Sequence, residues 1–222
     1  MPKILYNFCS RSRPTKLINC IENILSLLQH NDFVILITLD VDDQTCANKE
    51  FNEKLKSYGD KVKPVYGFSK GKVDAINKNV WMVPDFSILV NVSDDVVFTA
   101  KGFDQIILDD FKEQFPNGCG LLHYPDGFVG ERQVTMSIMD KSYYDLTGYI
   151  YHPDYISLFC DTEAMQVAKM LGKHRYVNKD IFRHNHPAWN AAPMDDQYKH
   201  TESFYNTDRD TFFRRQQINF GL

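Results

Sequence analysis

Acidic residues directly follow two apolar, strand-like runs of the chain, at positions 33–39 and 86–92. The acids concerned are Asp40, Asp42, Asp94 and Asp95. Carboxylates beside a buried segment cost free energy unless they are solvated or bind a cation. Oxygen ligands suit Mg²⁺ or Mn²⁺, which often share them with the phosphates of a substrate. The sequence therefore predicts either a divalent metal site or two solvated turns.

Two other segments could receive an anion. The first apolar run leads into Ser10-Arg11-Ser12-Arg13, and Lys72 stands at the start of a predicted helix. A helix N-terminus with a nearby lysine is a natural place for phosphate oxygens. Taken alone, such a lysine is more often a solvated surface charge.

Two late segments carry groups that could move a proton or bind a metal. Asp161 opens a predicted helix, where it can serve as a general base or as an N-cap, and Glu163 is the fallback base. His184 and His186 stand two residues apart, and histidine is both a common metal ligand and a common structural side chain.

The order of the apolar runs predicts the elements that would position these groups. Short buried runs alternate with helical periods, which is typical of βαβ units and a mostly parallel sheet. We expect strands near 4–8, 33–39, 62–66, 86–92, 119–124 and 134–139, and helices near 14–28, 48–58, 72–82, 102–115 and 161–171. Ligands of open α/β sheets bind beyond the carboxyl ends of the strands, so the acids at the two strand ends should face one site.

Composition sets further limits. The chain has 222 residues, enough for one large domain, and its formal net charge of -4 gives no basic field for nucleic acid or an anionic membrane. Five cysteines without a close pair indicate a reduced interior. The sequence starts almost directly with a strand and holds no apolar run of membrane-spanning length, so we expect a cytoplasmic protein without a membrane span.

The segment 88–98, ILVNVSDDVVF, resembles the DXD region of the family 2 glycosyltransferases, with Ser93 in place of the first acid. These enzymes belong to the nucleotide-diphospho-sugar transferase superfamily. The resemblance implies a single Rossmann-like α/β domain of the GT-A type, with a mostly parallel central sheet flanked by helices. It also implies that Asp95 holds a Mn²⁺ or Mg²⁺ ion bridging the donor diphosphate, and that Asp94 lies near the donor's ribose or sugar.

Further segments are similar to the motifs of this family in the same order. The loop 8–14 resembles the one under the donor nucleotide, the acids after residue 39 resemble those that contact base or ribose, and 71–78 resembles its Gly-Lys…Asn helix start. The donor-binding residues implied are Ser10, Arg11, Arg13, Asp40, Asp42, Lys72, Asn77 and Asp94. Segment 158–164 resembles the motif of the catalytic base, which implies Asp161. A late histidine completes the metal shell in such enzymes, which implies His186, with His184 as the alternative.

The function implied is transfer of a single sugar from a nucleotide-diphosphate sugar, with a UDP-sugar favoured, to an acceptor hydroxyl with inversion. The acceptor would be a carbohydrate, a lipid-linked molecule or a protein. Within the one domain 1–222, residues 1–100 would bind the nucleotide sugar and 101–190 would form the acceptor and catalytic half. Residues 191–222 would be either a closing lid or a packed tail, with Arg209, Arg214 and Arg215 either clamping the diphosphate or solvated.

Other interpretations stay open from the residues alone. Asp40 and Asp42 superficially match the nucleophile motif of haloacid-dehalogenase-like Mg²⁺-dependent phosphatases, but Gln44 stands where Thr or Val is expected. A sugar nucleotidyltransferase would share the architecture but would open on a glycine-rich loop. A non-catalytic sugar-binding module is the third alternative. Several late aromatic residues could stack an acceptor sugar or belong to the core: Tyr143, Tyr144, Tyr149, Tyr151 and Trp189.

Overall fold

A computed structural model describes residues 3–222; Met1 and Pro2, which precede the first predicted strand, lie outside it. Nine strands are present in this range. They are β1 (Ile4–Ser10), β2 (Phe33–Asp40), β3 (Val62–Gly67), β4 (Ile88–Val92), β5 (Val96–Phe98), β6 (Leu121–His123), β7 (Ile138–Asp140), β8 (His174–Tyr176) and β9 (Phe182–His184).

Eight α-helices connect or follow these strands in the described range. They are α1 (Pro14–Leu27), α2 (Lys49–Lys56), α3 (Lys72–Asn77), α4 (Phe103–Gln114), α5 (Lys141–Thr147), α6 (Cys160–Met170), α7 (Asp196–Glu202) and α8 (Tyr205–Gln217). None of the helices between residues 3 and 222 is long and apolar enough to cross a membrane. All five cysteines are free thiols.

The central sheet has seven strands in the order β3-β2-β1-β4-β7-β6-β8, and β5 pairs with β9 in a separate ribbon. Only β7 runs against the other six, because it pairs antiparallel with both β4 and β6 while the remaining pairs are parallel. The predicted α/β architecture with a mostly parallel sheet is therefore confirmed.

Helices cover both faces of this sheet, and alternation along each strand decides which face a side chain enters. In β1, Tyr6 packs into a core cluster with α1, α2 and α4, whereas Leu5 packs into a second cluster with α3, α5, α6 and α8. All five residues of β4 are buried. This explains why the central strands read as continuous apolar runs rather than as alternating ones.

Some element boundaries differ from the expectations. The helix predicted at 72–82 ends at Asn77 and is followed by a 3₁₀ turn, Val80–Met82. Two asparagines there use their side chains for tertiary contacts: Asn77 bonds the backbone of the 150–151 loop, and the Asn79 amide donates to the Thr38 hydroxyl over 3.0 Å. Such side-chain bonds favour ending a helix over extending it.

The C-terminal segment holds two helices where the sequence shows no apolar period. The inward face of α8 carries Asp208, Phe212 and Arg215 at helical spacing, and all three are buried. Because two of these three residues are charged, the buried face of α8 cannot be recognised from hydrophobic periodicity.

Ionic contacts hold α8 against the body of the protein. The Asp208 carboxylate accepts hydrogen bonds from the backbone N–H groups of Ile156, Ser157 and Leu158 at 2.8, 2.8 and 2.7 Å. Arg215 donates to both oxygens of Glu163, at distances of 2.7 to 3.0 Å. Buried charges of this kind are tolerated because each has several hydrogen-bond partners.

We expect Asp208→Asn to lower the free energy of unfolding by about 2–4 kcal/mol, because the amide removes the negative charge and replaces one carboxylate oxygen by an NH₂ group that opposes at least one of the three backbone N–H donors. Urea titration followed by circular dichroism measures this change. The matched control is Asp210→Asn, whose exposed side chain pairs only with its neighbour Arg209 and which should cost less than about 0.5 kcal/mol. Equal losses in the two variants would contradict the proposed role of Asp208.

Candidate functional site

The register of the parallel strands brings the predicted site residues to one edge of the sheet. Ser10, at the end of β1, pairs with Leu39 of β2, and Phe8 pairs with Val92 of β4. The loops that follow these three strands therefore begin side by side. This places Ser10 beside the acids that follow both β2 and β4.

Asp94 lies buried at this edge and is held by the loop after β1. The Ser10 hydroxyl donates to its Oδ2 over 2.6 Å, and Arg13 Nη1 lies 3.1 Å from its Oδ1. Burial raises the pKa of Asp94 above its usual value, although Arg13 and Ser10 oppose this shift. The predicted donor-binding residues Ser10, Arg13 and Asp94 thus form one contact group.

Asp95 is equally buried but has different partners. The Tyr198 hydroxyl donates to Asp95 Oδ2 over 2.6 Å, and His184 Nε2 lies 3.1 Å from Oδ1. Burial acts to raise the pKa of Asp95, but His184, Ser93 and Tyr198 together lower it well below its usual range. The two adjacent carboxylates therefore differ: Asp95 is held ionised, while Asp94 accepts a proton more readily.

The β5–β9 ribbon explains how a histidine so late in the chain reaches Asp95. Val96 pairs with His184 in this ribbon, and the Asn185 N–H donates to the Asp95 carbonyl over 2.9 Å. The ring centroid of His186 lies 5.4 Å from that of His184. Burial and the neighbouring His184 lower the pKa of His186 to about 4, so its ring is neutral near pH 7.

A metal ion fits this arrangement when a ligand supplies the remaining contacts. In the part of the chain that the structure describes, no three His, Cys, Asp or Glu side chains are grouped to hold a metal by themselves. Asp95 Oδ1 is buried and accepts no hydrogen bond of good geometry, although His184 Nε2 lies beside it, and His184 Nδ1 is buried without a hydrogen-bond partner. The 3.1 Å between Asp95 Oδ1 and His184 Nε2 is close to the about 3.0 Å expected between adjacent ligands that each lie about 2.1 Å from an octahedral ion.

The segment before and within α7 covers the acidic pair. Asp195 accepts two hydrogen bonds from Arg13, at 3.0 and 2.8 Å, and one from Lys16 at 2.8 Å. The Arg13 guanidinium carbon also lies 3.8 Å from the centre of the Tyr198 ring. We name Asp195 and Tyr198 the latch, because their side chains bond Arg13 and Asp95. Sequence reasoning missed Lys16, Asp195 and Tyr198, which have no periodic or motif signal.

A second charged group lies at the ends of β1 and β2. Arg11 bonds Asp42 through two nitrogens, at 2.7 and 3.0 Å, and Asp40 through one of them at 3.0 Å. Asp40 also pairs with Gly67, which places the following residue, Phe68, at the same edge of the sheet. Phe68 is 74% exposed, and an exposed aromatic side chain after a strand is a signal that the sequence analysis overlooked.

Asp161 lies in the first turn of α6, as predicted, and is half-buried. Its Oδ1 accepts a hydrogen bond from the Thr162 N–H over 2.7 Å. The residue before the helix, Phe159, has a φ of 62°, a left-handed backbone that is costly for a bulky side chain and recurs at functional sites. Glu163 is bonded by Arg215 and by the Tyr155 hydroxyl at 2.6 Å, so Asp161 is the less engaged of the two carboxylates.

The two predicted residues of α3 differ in their surroundings. Lys72 is exposed; the atoms packed around its ammonium act to lower its pKa, but nearby acidic groups, including Asp95 and Asp161, raise it overall. The Asn77 amide instead donates to the Tyr151 carbonyl over 2.7 Å and accepts from the Ile150 N–H over 3.0 Å. Lys72 therefore stands close to the acids, while Asn77 holds the 150–151 loop, and its contact with a donor stays a prediction.

The three late arginines each pair with a different carboxylate, and the late aromatic residues differ in their burial. Arg209 pairs with Asp210, Arg214 pairs with Asp154, and Arg215 is buried against Glu163. Among the aromatic residues, Tyr143 and Tyr151 are buried in the core, whereas Trp189 is 41% exposed.

No protein-family model matches the sequence, and no curated protein matches it significantly. Solved structures of glycosyltransferases do resemble its fold. The mannosyltransferase PcManGT from Pyrobaculum calidifontis, in complex with GDP-Man and Mn²⁺, is 9% identical with a TM-score of 0.60, over 80% of this chain and 54% of that one. A fragment of S. aureus TarS in complex with UDP is 11% identical with a TM-score of 0.62, over 82% and 60%.

A mutant of the Drosophila β-1,4-galactosyltransferase 7, in complex with manganese, UDP-Gal and xylobiose, is 13% identical with a TM-score of 0.54, over 90% of this chain and 79% of that one. The chain spans between 36% and 60% of the mannosyltransferase and TarS structures. At these identities the likeness concerns the backbone. The chain has the fold of the GT-A glycosyltransferases.

Proposed function

We propose that the protein is a metal-dependent glycosyltransferase that moves a single sugar from a nucleotide-diphosphate sugar to an acceptor hydroxyl. The observation that carries the proposal is the Asp95–His184 contact, in which a buried, ionised carboxylate faces an imidazole nitrogen over 3.1 Å at the carboxyl edge of the sheet. In the GT-A fold this edge receives the ligand. Two of the structural neighbours hold manganese and a nucleotide sugar.

The donor's diphosphate would lie between Arg13 and Lys72, whose positive charges attract phosphate oxygens. Its nucleoside would lie beside Arg11, Asp40 and Asp42, with the base against the exposed ring of Phe68. Asp94, held by Ser10 and Arg13, would contact the ribose or the sugar. We favour a UDP-sugar because two of the three neighbours are complexes with UDP or UDP-Gal, while the third holds GDP-Man.

Asp161 is the general base of the proposed reaction. Its carboxylate would take the proton of the acceptor hydroxyl as the hydroxyl oxygen attacks the anomeric carbon from the face opposite the diphosphate. The bond to the diphosphate breaks as the new glycosidic bond forms, so the configuration inverts. Arg13 and Lys72 would stabilise the negative charge of the departing diphosphate.

Asp95 and one histidine would hold the metal. His184 has the direct contact with Asp95, while the ring of His186, the ligand implied by the family resemblance, lies between those of His184 and Tyr198, with centroid distances of 5.4 and 4.8 Å. When bound, Mn²⁺ or Mg²⁺ neutralises charge on the diphosphate oxygens.

The alternatives have less support. Both carboxylates of the phosphatase motif, Asp40 and Asp42, are paired with Arg11, and the motif lies on β2. A non-catalytic sugar-binding module would need no base, and the first experiment below distinguishes it from a transferase.

Asp161→Asn should lower kcat by about 10²- to 10⁴-fold, the usual contribution of a general base, and should leave the Kd for UDP unchanged. Release of the nucleoside diphosphate, UDP or GDP, from a panel of UDP- and GDP-sugars with mixed acceptors measures kcat, and calorimetry measures the Kd. Asp145→Asn, which removes a surface carboxylate paired with Lys141, is the matched control. Turnover retained in Asp161→Asn would point to another base, and no turnover in either protein with UDP still bound would favour the binding module.

Removing a metal ligand should weaken Mn²⁺ binding in the presence of UDP by more than about tenfold. We expect this loss in Asp95→Asn and His184→Ala, and a smaller one in His186→Ala. Electron paramagnetic resonance of free Mn²⁺ reports the affinity, and His200→Ala, at an exposed position of α7, is the control. A larger loss in His186→Ala than in His184→Ala would assign the ligand to His186 instead.

Opening the latch should strengthen donor binding, because Asp195 and Tyr198 occupy Arg13 and Asp95 before the donor arrives. The apparent Kd of a ligand rises as the fraction of binding-competent protein falls. We expect Asp195→Asn and Tyr198→Phe each to lower the Kd for UDP with Mn²⁺ by about threefold to tenfold, measured by calorimetry.

The controls for the latch variants are Asp196→Asn and Tyr205→Phe, which change exposed residues between and after the two latch residues. Neither should alter the Kd. Weaker UDP binding in the latch variants than in their controls would mean that the latch supports the donor site and does not block it.

A further inference from the structure

Two aromatic rings from separate parts of the chain meet at the protein surface. Phe128 and Trp189 lie almost parallel, with an interplanar angle of 9° and ring centroids 6.2 Å apart. Trp189 is 41% exposed and Phe128 is half-buried. The guanidinium carbon of Arg183 lies 5.4 Å from the centre of the Phe128 ring. Neither ring belongs to the two core clusters, so packing of the core does not explain the pair.

The loop that carries Phe128 is hydrogen-bonded at both ends to elements of the proposed site. At one end, the Asp126 carbonyl accepts a hydrogen bond from the His184 N–H over 3.0 Å. At the other end, the Gln133 side chain donates to the Thr162 hydroxyl over 3.0 Å. Thr162 follows Asp161 directly. The loop therefore connects the candidate metal ligand with the candidate base.

Trp189 is connected to the proposed site through His186. It ends the 3₁₀ turn Pro187–Trp189, which His186 caps by accepting a hydrogen bond from the Ala188 N–H over 3.2 Å. The indole therefore stands three residues from the second candidate metal ligand. Through its two chain segments, the pair of rings is therefore attached to the elements that carry both candidate metal ligands and the candidate base.

The position of Phe128 is fixed without any ligand. Asp126 is buried, and its Oδ1 accepts hydrogen bonds from the N–H groups of Phe128 and Val129 at 2.9 and 2.7 Å. Gly127 has a φ of 88°, and a Cβ at this position would lie 3.3 Å from Arg183 Nε. Because the turn is ordered in advance, a ligand that stacks on Phe128 loses little free energy to ordering the loop.

We propose that Phe128, Trp189 and Arg183 form the subsite that binds the acceptor, and that the acceptor is a saccharide; this inference rests on the proposed function. A pyranose ring presents a flat C–H face, which packs against exposed aromatic faces, and a rim of hydroxyls, which accept hydrogen bonds from a guanidinium. A binding site of this kind combines apolar and aromatic lining with a few polar groups that fix orientation. An aromatic pair with one adjacent cation suits one or two sugar rings.

The chain has two tryptophans, which allows a direct binding test. In Trp81→Phe, Trp189 is the single remaining tryptophan, so the emission reports on the subsite alone. Methyl β-glycosides of xylose, galactose, glucose, mannose and N-acetylglucosamine, and the corresponding disaccharides, are titrated with UDP and Mn²⁺ present. We expect at least one of them to change the emission of Trp189 in a saturable way.

Kinetics with the glycoside identified in this way test the role in transfer. Trp189→Ala and Phe128→Ala should each raise the KM for that acceptor about tenfold, which corresponds to about 1.4 kcal/mol, and should leave the Kd for UDP unchanged. The matched control is Trp81→Ala, which removes a tryptophan that is 73% exposed on the 3₁₀ turn after α3 and should change neither constant.

The outcomes separate this inference from the proposed function. If UDP binds but no glycoside changes the Trp189 emission, the saccharide subsite is overturned and the donor site stands. If a glycoside binds at Trp189 but no nucleotide sugar supports transfer, the rings bind a saccharide, but the transferase proposal fails and with it the acceptor role of the subsite. If Trp189→Ala weakens UDP binding as much as acceptor binding, the indole belongs to the donor site and the inference is overturned.

Discussion

The site is organised around two carboxylates that one buried strand delivers side by side. Asp94 and Asp95 follow β4, whose five residues are all buried, so neither acid is well solvated. Unpaired charges at such positions are strongly unfavourable. Each carboxylate is therefore provided with its own partners, Ser10 and Arg13 for the first and His184 and Tyr198 for the second. The chain brings these partners from the end of β1 and the loop after it, from the β5–β9 ribbon and from α7.

The need of the Asp95 carboxylate for hydrogen-bond partners links the C-terminal segment to the site. Tyr198 reaches Asp95 only if α7 lies over the edge of the sheet, and α8 follows α7 after two residues. Asp208 of α8 bonds the loop before α6, and Arg215 bonds Glu163 in the first turn of α6. Asp161 lies in the same turn of this helix. The same polar anchors therefore hold the C-terminal helix in place and fix the loop that leads to the candidate base.

The sequence predicts the parts of this structure that depend on local periodicity. Buried runs locate the central strands, and the rule for parallel sheets leads to the ends of β1, β2 and β4 lying at one edge of the sheet. Contacts across large sequence separations could not be predicted, because a single tyrosine such as Tyr198 pairs with Asp95 from 103 residues away and leaves no pattern. Asn77 illustrates the opposite difficulty: its motif suggests a ligand contact, but its amide already bonds the 150–151 loop.

The contacts that Asp195 and Tyr198 make with the site are of the kinds that a donor and a metal ion would replace. Asp195 bonds Arg13 and Lys16 with a carboxylate, and a diphosphate brings the same kind of anionic oxygen, so replacing one by the other keeps the two cations paired throughout. Tyr198 is neutral and its contact with Asp95 is one hydrogen bond, which a divalent cation can replace with a much stronger attraction. In the proposed function, a donor and its metal arriving together would replace the hydrogen bonds that Asp195 and Tyr198 lose, whereas a metal alone would leave the Arg13–Asp195 pair intact.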